Sequence, residues 1–250
     1  MYNDIIELNK KFIEIRNQGL IESLRNGSTG FGYTFESLIE KKEDQESKPD
    51  FKSVEIKCSL YHTKKPITLF CLAPERDGSI ATRYIFEKYS FYKLDDYIQR
   101  RCFYYMVYNN TKYEIYNTKF NLKVDYLNRK VIMQAFKNDK LIEDICYWTF
   151  QNIEQVMLEK MKYLALITGE SYNYNNKKYY KYFNIQFYSI YTLFEFLKLI
   201  ENNLIYINFY MKEDLNKLGD ISIKDHGVAF RIYKNNIDKL FHKIDLSHIK

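Results

Sequence analysis

Between Gly27 and Lys57 three carboxylates and a lysine fall at spacings that could serve one reaction centre: Glu36, Asp50, Glu55 and Lys57. The run GSTGFGYTFE reads as a glycine-bearing turn followed by a short helix presenting Glu36, and PDFKSVEIK reads as a bend at Pro49-Asp50 followed by a strand. Side chains alternate across a strand, so Glu55 and Lys57 point the same way, about 6.8 Å apart along the backbone. That spacing suits a metal ligand and a cation flanking one phosphate. Asp50 cannot share the alternation, so a bend after Pro49 must bring it round. A hard divalent cation such as Mg²⁺ takes oxygen ligands, here Asp50, Glu55 and the main-chain carbonyl of Ile56, and a phosphodiester needs positive charge close by. In this reading Lys57 orients the attacking water or helps to deprotonate it and offsets charge developing on the phosphate, while Glu36 joins through water. The chemistry implied is Mg²⁺-dependent phosphodiester hydrolysis, with DNA as the polymer cut.

An E-x-K triplet alone is a weak signal. It recurs as Glu40-Lys41-Lys42 and Glu46-Ser47-Lys48, where a solvent-facing ion pair in a charged turn explains it. Context separates Glu55 and Lys57 from these: Val54, Ile56 and Cys58 alternate with them, Pro49-Asp50 lies just upstream, and Glu36 is offered from a preceding helix. Glu36 falls about 100° from Phe35, off the apolar face of Phe35, Leu38 and Ile39, so it is free to face a cleft. A plain helix-surface carboxylate occupies the same position.

The elements that must hold these groups are partly legible. Ile5, Leu8, Phe12 and Ile15 recur at spacings of three and four, which predicts a helix with one buried face from Asp4 to about Arg25, weakened or ended at Gly19. Gly27, Gly30 and Gly32 lack the strand-then-glycine context of a dinucleotide site and read as a loop, with Gly30 letting a DNA backbone come close. A second apolar strand, Ile67 to Leu72, is expected beside the Glu55 strand. Tyr84 to Arg101 gives no firm pattern. FYYMVY-NN-TKYEIY reads as a hairpin, and the stretch from Asn121 to Ile145 as an antiparallel meander, with turn residues at Asn128, Asn138 and Asp139. Ile153, Val156, Met157 and Met161 mark a helix, and Tyr163 to Thr168 a buried strand. A loop is expected at Asn173 to Lys178, then a helix over Ile190 to Ile200, strands at Ile205 to Tyr210 and His226 to Tyr233, and a short helix near Lys239.

The segment DHGVAFRI places Asp225, His226 and Arg231 beside a glycine on a strand-like stretch. Arg231 could contact guanine O6 and N7 bidentately, or serve as a structural or phosphate-positioning arginine on an edge strand; the pattern leaves both open. The four histidines, His62, His226, His242 and His248, are too dispersed for a histidine-based metal site, and His242 and His248 read as surface residues.

The formal charge of +6 is compatible with a polyanionic partner without requiring one. The 25 tyrosines and 18 phenylalanines fit an AT-rich coding bias more simply than base stacking. The single, scattered cysteines Cys58, Cys71, Cys102 and Cys146 suggest a reducing cytoplasm, and the charge-interrupted N-terminus is neither a signal peptide nor a membrane span.

The runs GSTGFGYTFE, PDFKSVEIK and PITLFCLAP resemble the MvaI/BcnI family of type II restriction endonucleases, as do DICYWTF, KYLALITGES, KKYYKY and DHGVAFRI further on. The similarity covers nearly the whole chain in order; it is weaker between Asp77 and Asn121 and in the loop from Met211 to Lys224. The resemblance implies an α/β fold of the MutH-like PD-(D/E)XK kind, a mixed sheet flanked by helices, with two lobes around a DNA cleft. Residues 1–170, with a meander at 95–148, would form the catalytic lobe and 171–250 the recognition lobe. It implies a monomer that uses Mg²⁺ to cut the two strands of double-stranded DNA one after the other, leaving 5′-phosphates, with a cognate methyltransferase protecting the host. The family's active-site positions fall on Glu36, Asp50, Glu55 and Lys57, and its base-reading segment on His226 and Arg231. Two other functions fit the same residues: a MutH-like repair nickase, and a DNA-binding module that no longer cuts. The clustered carboxylates argue against the last, because a pure binder gains nothing from negative charge where phosphate must sit.

Overall fold

The computed structural model describes residues 2–40, 48–95, 98–215 and 220–247. Most of the predicted charged turn, 41–47, and His248 lie outside the described residues. In chain order the elements are α1 (Tyr2–Asn17), β1 (Ile21–Glu22), α2 (Gly30–Leu38), β2 (Val54–Leu60), β3 (Pro66–Cys71), β4 (Glu75–Arg76), β5 (Ser79–Ile80), α3 (Thr82–Tyr89), β6 (Phe91–Asp95) and β7 (Ile98–Val107). There follow β8 (Lys119–Asp125), β9 (Lys130–Lys137), β10 (Lys140–Thr149), α4 (Phe150–Lys160), β11 (Tyr163–Tyr174) and β12 (Lys177–Ile190). The chain ends with α5 (Leu193–Glu201), β13 (Ile205–Leu215), β14 (Ile221–Asp225), β15 (Ala229–Tyr233), a 3₁₀ turn (Lys234–Lys239) and β16 (Phe241–Ile244). No helix among the described residues is long and apolar enough to cross a membrane.

Two compact units form, each from separate stretches of chain: Met1–Lys65 with Met157–Tyr191 and Ile237–Lys250, and Pro66–Val156 with Thr192–Asn236. These boundaries do not follow the linear division at residue 170 that the sequence suggested. The second unit is inserted into the first, because β2 takes its sheet neighbour from β11, about a hundred residues on.

In the first unit the sheet order is β1-β12-β11-β2, with β16 also on β12; β11 runs parallel to β2 and antiparallel to β12. Ile5, Leu8, Phe12 and Ile15 of α1 are all buried, as their spacing predicts. The helix stops at the break expected at Gly19 and does not resume toward Arg25. It ends at Asn17, Gly19 turns the chain with φ +77, and Ile21 and Glu22 then pair with Tyr180 and Tyr179. Gly30 and Gly32 lie in the first turn of α2, not in an open loop. The close approach at Gly30 is to the chain itself: a Cβ there would lie 2.4 Å from the Arg25 carbonyl oxygen and 2.5 Å from the Tyr180 hydroxyl. Asn173 to Lys178 is not a loop but the tip of a long hairpin, with β12 continuing to Ile190, a strand the sequence reading missed. Asn175 and Asn176, both at positive φ, make the two-residue turn that the twist of the strands favours.

In the second unit one sheet has the order β5-β4-β10-β9-β8 and the other β3-β15-β13-β7-β6, with β14 on β13. The meander β8-β9-β10 stands as predicted, with Asn138 and Asp139 in the left-handed region. The hairpin expected at Asn109-Asn110 does not form. Both edges of β7 are taken, by β6 and β13, and Tyr113 instead packs on Tyr105 and donates its hydroxyl to the Met106 carbonyl. Nor is β3 a neighbour of β2, as expected; it pairs with β15 in this second unit. The unpatterned stretch after Tyr84 holds most of α3 and all of β6.

Glu143 on β10 organises one side of this unit. It accepts hydrogen bonds from Tyr84 at 2.8 Å, from Lys88 at 2.6 Å and from Tyr89. Burial opposes ionisation, but Lys88, Tyr89 and Tyr84 outweigh it and hold the carboxyl below its ordinary range. A depressed carboxylate contributes stability above its unfolded pKa and loses it as pH falls through the folded value. Glu143→Ala is therefore expected to lower urea stability by about 1–3 kcal/mol at neutral pH, with the difference shrinking below about pH 4.

Candidate active site

The centre is built at the N-terminal end of β2, the edge strand of the first unit's sheet. Phe51 and Val54 exchange backbone hydrogen bonds at 2.9 and 2.8 Å around a tight turn in which Lys52 adopts φ +51. Ser53 donates to Asp4 at 2.6 Å and Lys52 pairs with Glu7, so α1 fixes the turn. This turn is the bend that brings Asp50 round: the Ile56 N–H donates to Asp50 Oδ2 at 3.0 Å. The N–H and C=O of one strand residue project to the same side. The Ile56 carbonyl therefore faces the free edge of β2, on Asp50's side, where it can act as an oxygen ligand.

Glu55 is 1% exposed, which the alternation of the strand did not lead us to expect of a polar-face carboxylate. Its Oε1 receives Lys57 Nζ at 2.6 Å and lies 3.7 Å from Lys160 Nζ. Its Oε2 has no hydrogen-bond partner among the described residues. Burial pushes the Glu55 carboxyl up, with Lys57 pulling against it. For Lys57 burial works downward, but Glu55 and Asp50 prevail and the ammonium is held above its usual range, with Glu36 adding to the shift.

Glu36 is carried by α2, which is clamped to the sheet by Tyr182. The Tyr182 hydroxyl donates to the Phe31 carbonyl at 2.8 Å, and its ring stacks on Phe31 at 4.8 Å. A bulge after Thr168 sets Tyr182 opposite Gly169. A Cβ at Gly169 would stand 2.3 Å from the Lys181 carbonyl oxygen and 2.9 Å from Phe31, so glycine is required for this packing. Glu36 folds back beside Gly32: a Cβ there would lie 3.5 Å from Glu36 Oε1, an ordinary contact. Glu36, Asp50, Glu55 and Lys57 are thus electrostatically one group in the first unit. No set of three or more His, Cys, Asp or Glu among the described residues is gathered closely enough to hold a metal unaided. An ion here would rest on two carboxylates and a main-chain carbonyl, completed by water or substrate.

Asp225, His226 and Arg231 lie in the second unit. Asp225 ends β14 and accepts the Gly227 N–H at 2.8 Å, and Gly227 turns the chain with φ +88. The strand predicted from His226 begins only at Ala229. His226 is exposed and packs edge-on to Tyr210, which stacks on Tyr104 at 4.4 Å. Arg231 sits in a cross-strand row between Thr68 and Tyr206, donating Nε–H to Thr68 Oγ1 at 3.1 Å. Lys160 and Tyr182 are the residues of the centre that sequence reasoning passed over. Lys160 is an ordinary helix-ending lysine until β11 is paired with β2.

The model of the MvaI/BcnI restriction endonuclease family matches residues 9–241. The chain belongs to that family. Restriction endonuclease MvaI in complex with its cognate DNA substrate is similar with TM-score 0.86 at 29% identity, over 98% of each chain. MvaI in the absence of DNA is similar with TM-score 0.61 at the same identity and coverage. No curated protein sequence matches significantly. As a MvaI/BcnI family member the chain is a site-specific deoxyribonuclease with a mixed α/β fold. Restriction endonucleases generally use divalent metal ions.

Proposed function

We propose that this enzyme is a Mg²⁺-dependent type II restriction endonuclease of the PD-(D/E)XK kind, acting on double-stranded DNA as a monomer and cutting the strands in turn. One observation carries the assignment of the centre: a buried Glu55 whose Oε1 is held by lysine and whose Oε2 has no hydrogen-bond partner among the described residues, beside an Asp50 fixed by the Ile56 N–H. A buried carboxylate oxygen with no donor is unfavourable in a fold without a ligand, and a hard cation resolves it. Asp50, Glu55 and the Ile56 carbonyl would hold the ion. When bound, it supplies Lewis acidity to the scissile phosphate and acidifies water. Lys57, protonated in this arrangement, orients the attacking water by donation and offsets charge growing on the phosphate. Glu36 would hold a water at the edge of the centre.

The first unit is then the catalytic lobe, and the second carries the base-reading residues. Arg231, held through Nε by Thr68 and also hydrogen-bonded to Tyr206, would turn its other donors to a guanine edge, with His226 and Asp225 reading from the same sheet nearer the far end of β13. Similarity to MvaI bound to cognate DNA supports this reading. A companion methyltransferase in the same cytoplasm would protect host DNA.

The test is a supercoiled plasmid carrying one site, with Mg²⁺. Open circles should accumulate before linear DNA, at a rate first order in enzyme. A reaction that halts at open circles would make this a nickase. Direct conversion to linear DNA, second order in enzyme, would rule out a sequential monomer.

A further inference from the structure

We propose that Lys160 is a second cation of the active centre and contacts a phosphate of the DNA at or beside the scissile bond; the inference rests on the assignment of that centre to Asp50, Glu55 and Lys57. Lys160 ends α4, three residues before β11 begins at Tyr163, and the parallel register sets Leu164 opposite Glu55. Its ammonium lies 3.7 Å from Glu55 Oε1, close enough for attraction but longer than a hydrogen bond. Lys57 makes the hydrogen bond to that oxygen, at 2.6 Å. Lys160 therefore stands in the centre with its side chain only 24% exposed and no hydrogen-bond acceptor among the described residues. An ammonium carries three donors and is a point-charge phosphate binder. A partly buried one without an acceptor, beside a carboxylate that holds it in place, is prepared for an anion.

The charges agree. By formal charge, Glu36, Asp50 and Glu55 exceed Lys57 and Lys160 by one negative charge. A divalent cation together with one phosphodiester then brings the centre to neutrality. Without Lys160 the same assembly is left negative at the moment a further negative charge develops on the phosphate, which a low-polarity site tolerates poorly.

The experiment compares Lys160→Met and Lys160→Arg, with Lys160→Gln as a second neutral form should the methionine variant fold badly. Cleavage is measured on a duplex carrying the site defined by fragment-end sequencing. Affinity for that duplex is measured against salt in an Asp50→Ala background, where the DNA stays uncut. The neutral variants are expected to lose about 10- to 100-fold in kcat/KM, and the slope of log affinity against log salt should shrink by about one. Lys160→Arg should restore the slope and part of the rate. Unchanged kcat/KM and slope in the neutral variants would overturn the proposal. So would equal losses in the Met and Arg forms with the slope intact, which mark a structural role. If Asp50→Ala itself still cuts, the centre is misassigned; if it is inert and Lys160→Met behaves as wild type, only the role of Lys160 fails.

Discussion

Asp50→Ala is expected to slow DNA cleavage in a single turnover by about a thousandfold or more while leaving DNA affinity within about tenfold. Asp50 is held by the Ile56 N–H at 3.0 Å, on the side to which the Ile56 carbonyl also projects. Alanine leaves Glu55 as the only carboxylate of the ion site, and one carboxylate with a carbonyl is a poor cage for a hard cation. Binding has no comparable reason to fall, because the substitution removes negative charge from a place where phosphate must sit. Rapid-quench cleavage and fluorescence anisotropy on the same duplex separate the two effects. A loss below about tenfold would remove Asp50 from the chemistry.

The second large effect is a loss of linkage between metal and fold. Saturating Mg²⁺, at about a hundred times its dissociation constant, should stabilise the wild-type protein by about 2.7 kcal/mol, or about 5–10 °C in Tm. Glu55→Gln, nearly isosteric, should abolish that shift. The metal-free variant should remain within about 1 kcal/mol of wild type, because it trades a buried charge with an unpartnered oxygen for a neutral amide. The two lysines that lose their counter-charge are each 24% exposed and can turn to water. Differential scanning calorimetry with and without Mg²⁺ checks both statements. A full Mg²⁺ shift in Glu55→Gln would place the ion elsewhere, and a collapse of the metal-free variant would make Glu55 a structural residue.

Why the proposed quartet of Glu36, Asp50, Glu55 and Lys57 is legible in the sequence, while its surroundings are not, follows from the range of the interactions. The α1 face, the Glu55-Lys57 alternation and the β8-β9-β10 meander are set by neighbours a few residues apart, so periodicity and turn residues report them. The burial of Glu55 is not local. It comes from the parallel pairing of β2 with β11 across an inserted unit, a contact that no spacing near Glu55 encodes. The same pairing brings Lys160 to the centre. Strand β12 was missed because the register shift between Thr168 and Gly169 breaks its alternation: on one side Tyr180 and Tyr182 are buried two apart, on the other the consecutive Phe187 and Tyr188 are both buried. The hairpin at Asn109 carried correct local signals and was overruled by β13, which takes the edge of β7 that the hairpin needed.

The most direct test is to incubate the purified enzyme with unmethylated phage DNA, with and without Mg²⁺, beside Asp50→Ala, and to sequence the fragment ends. Discrete Mg²⁺-dependent fragments sharing one short sequence at their ends, absent with the variant, are the predicted result. Fragments that persist without a divalent ion or with Asp50→Ala, or DNA left intact from several unmethylated sources, would contradict a metal-dependent centre at Asp50, Glu55 and Lys57.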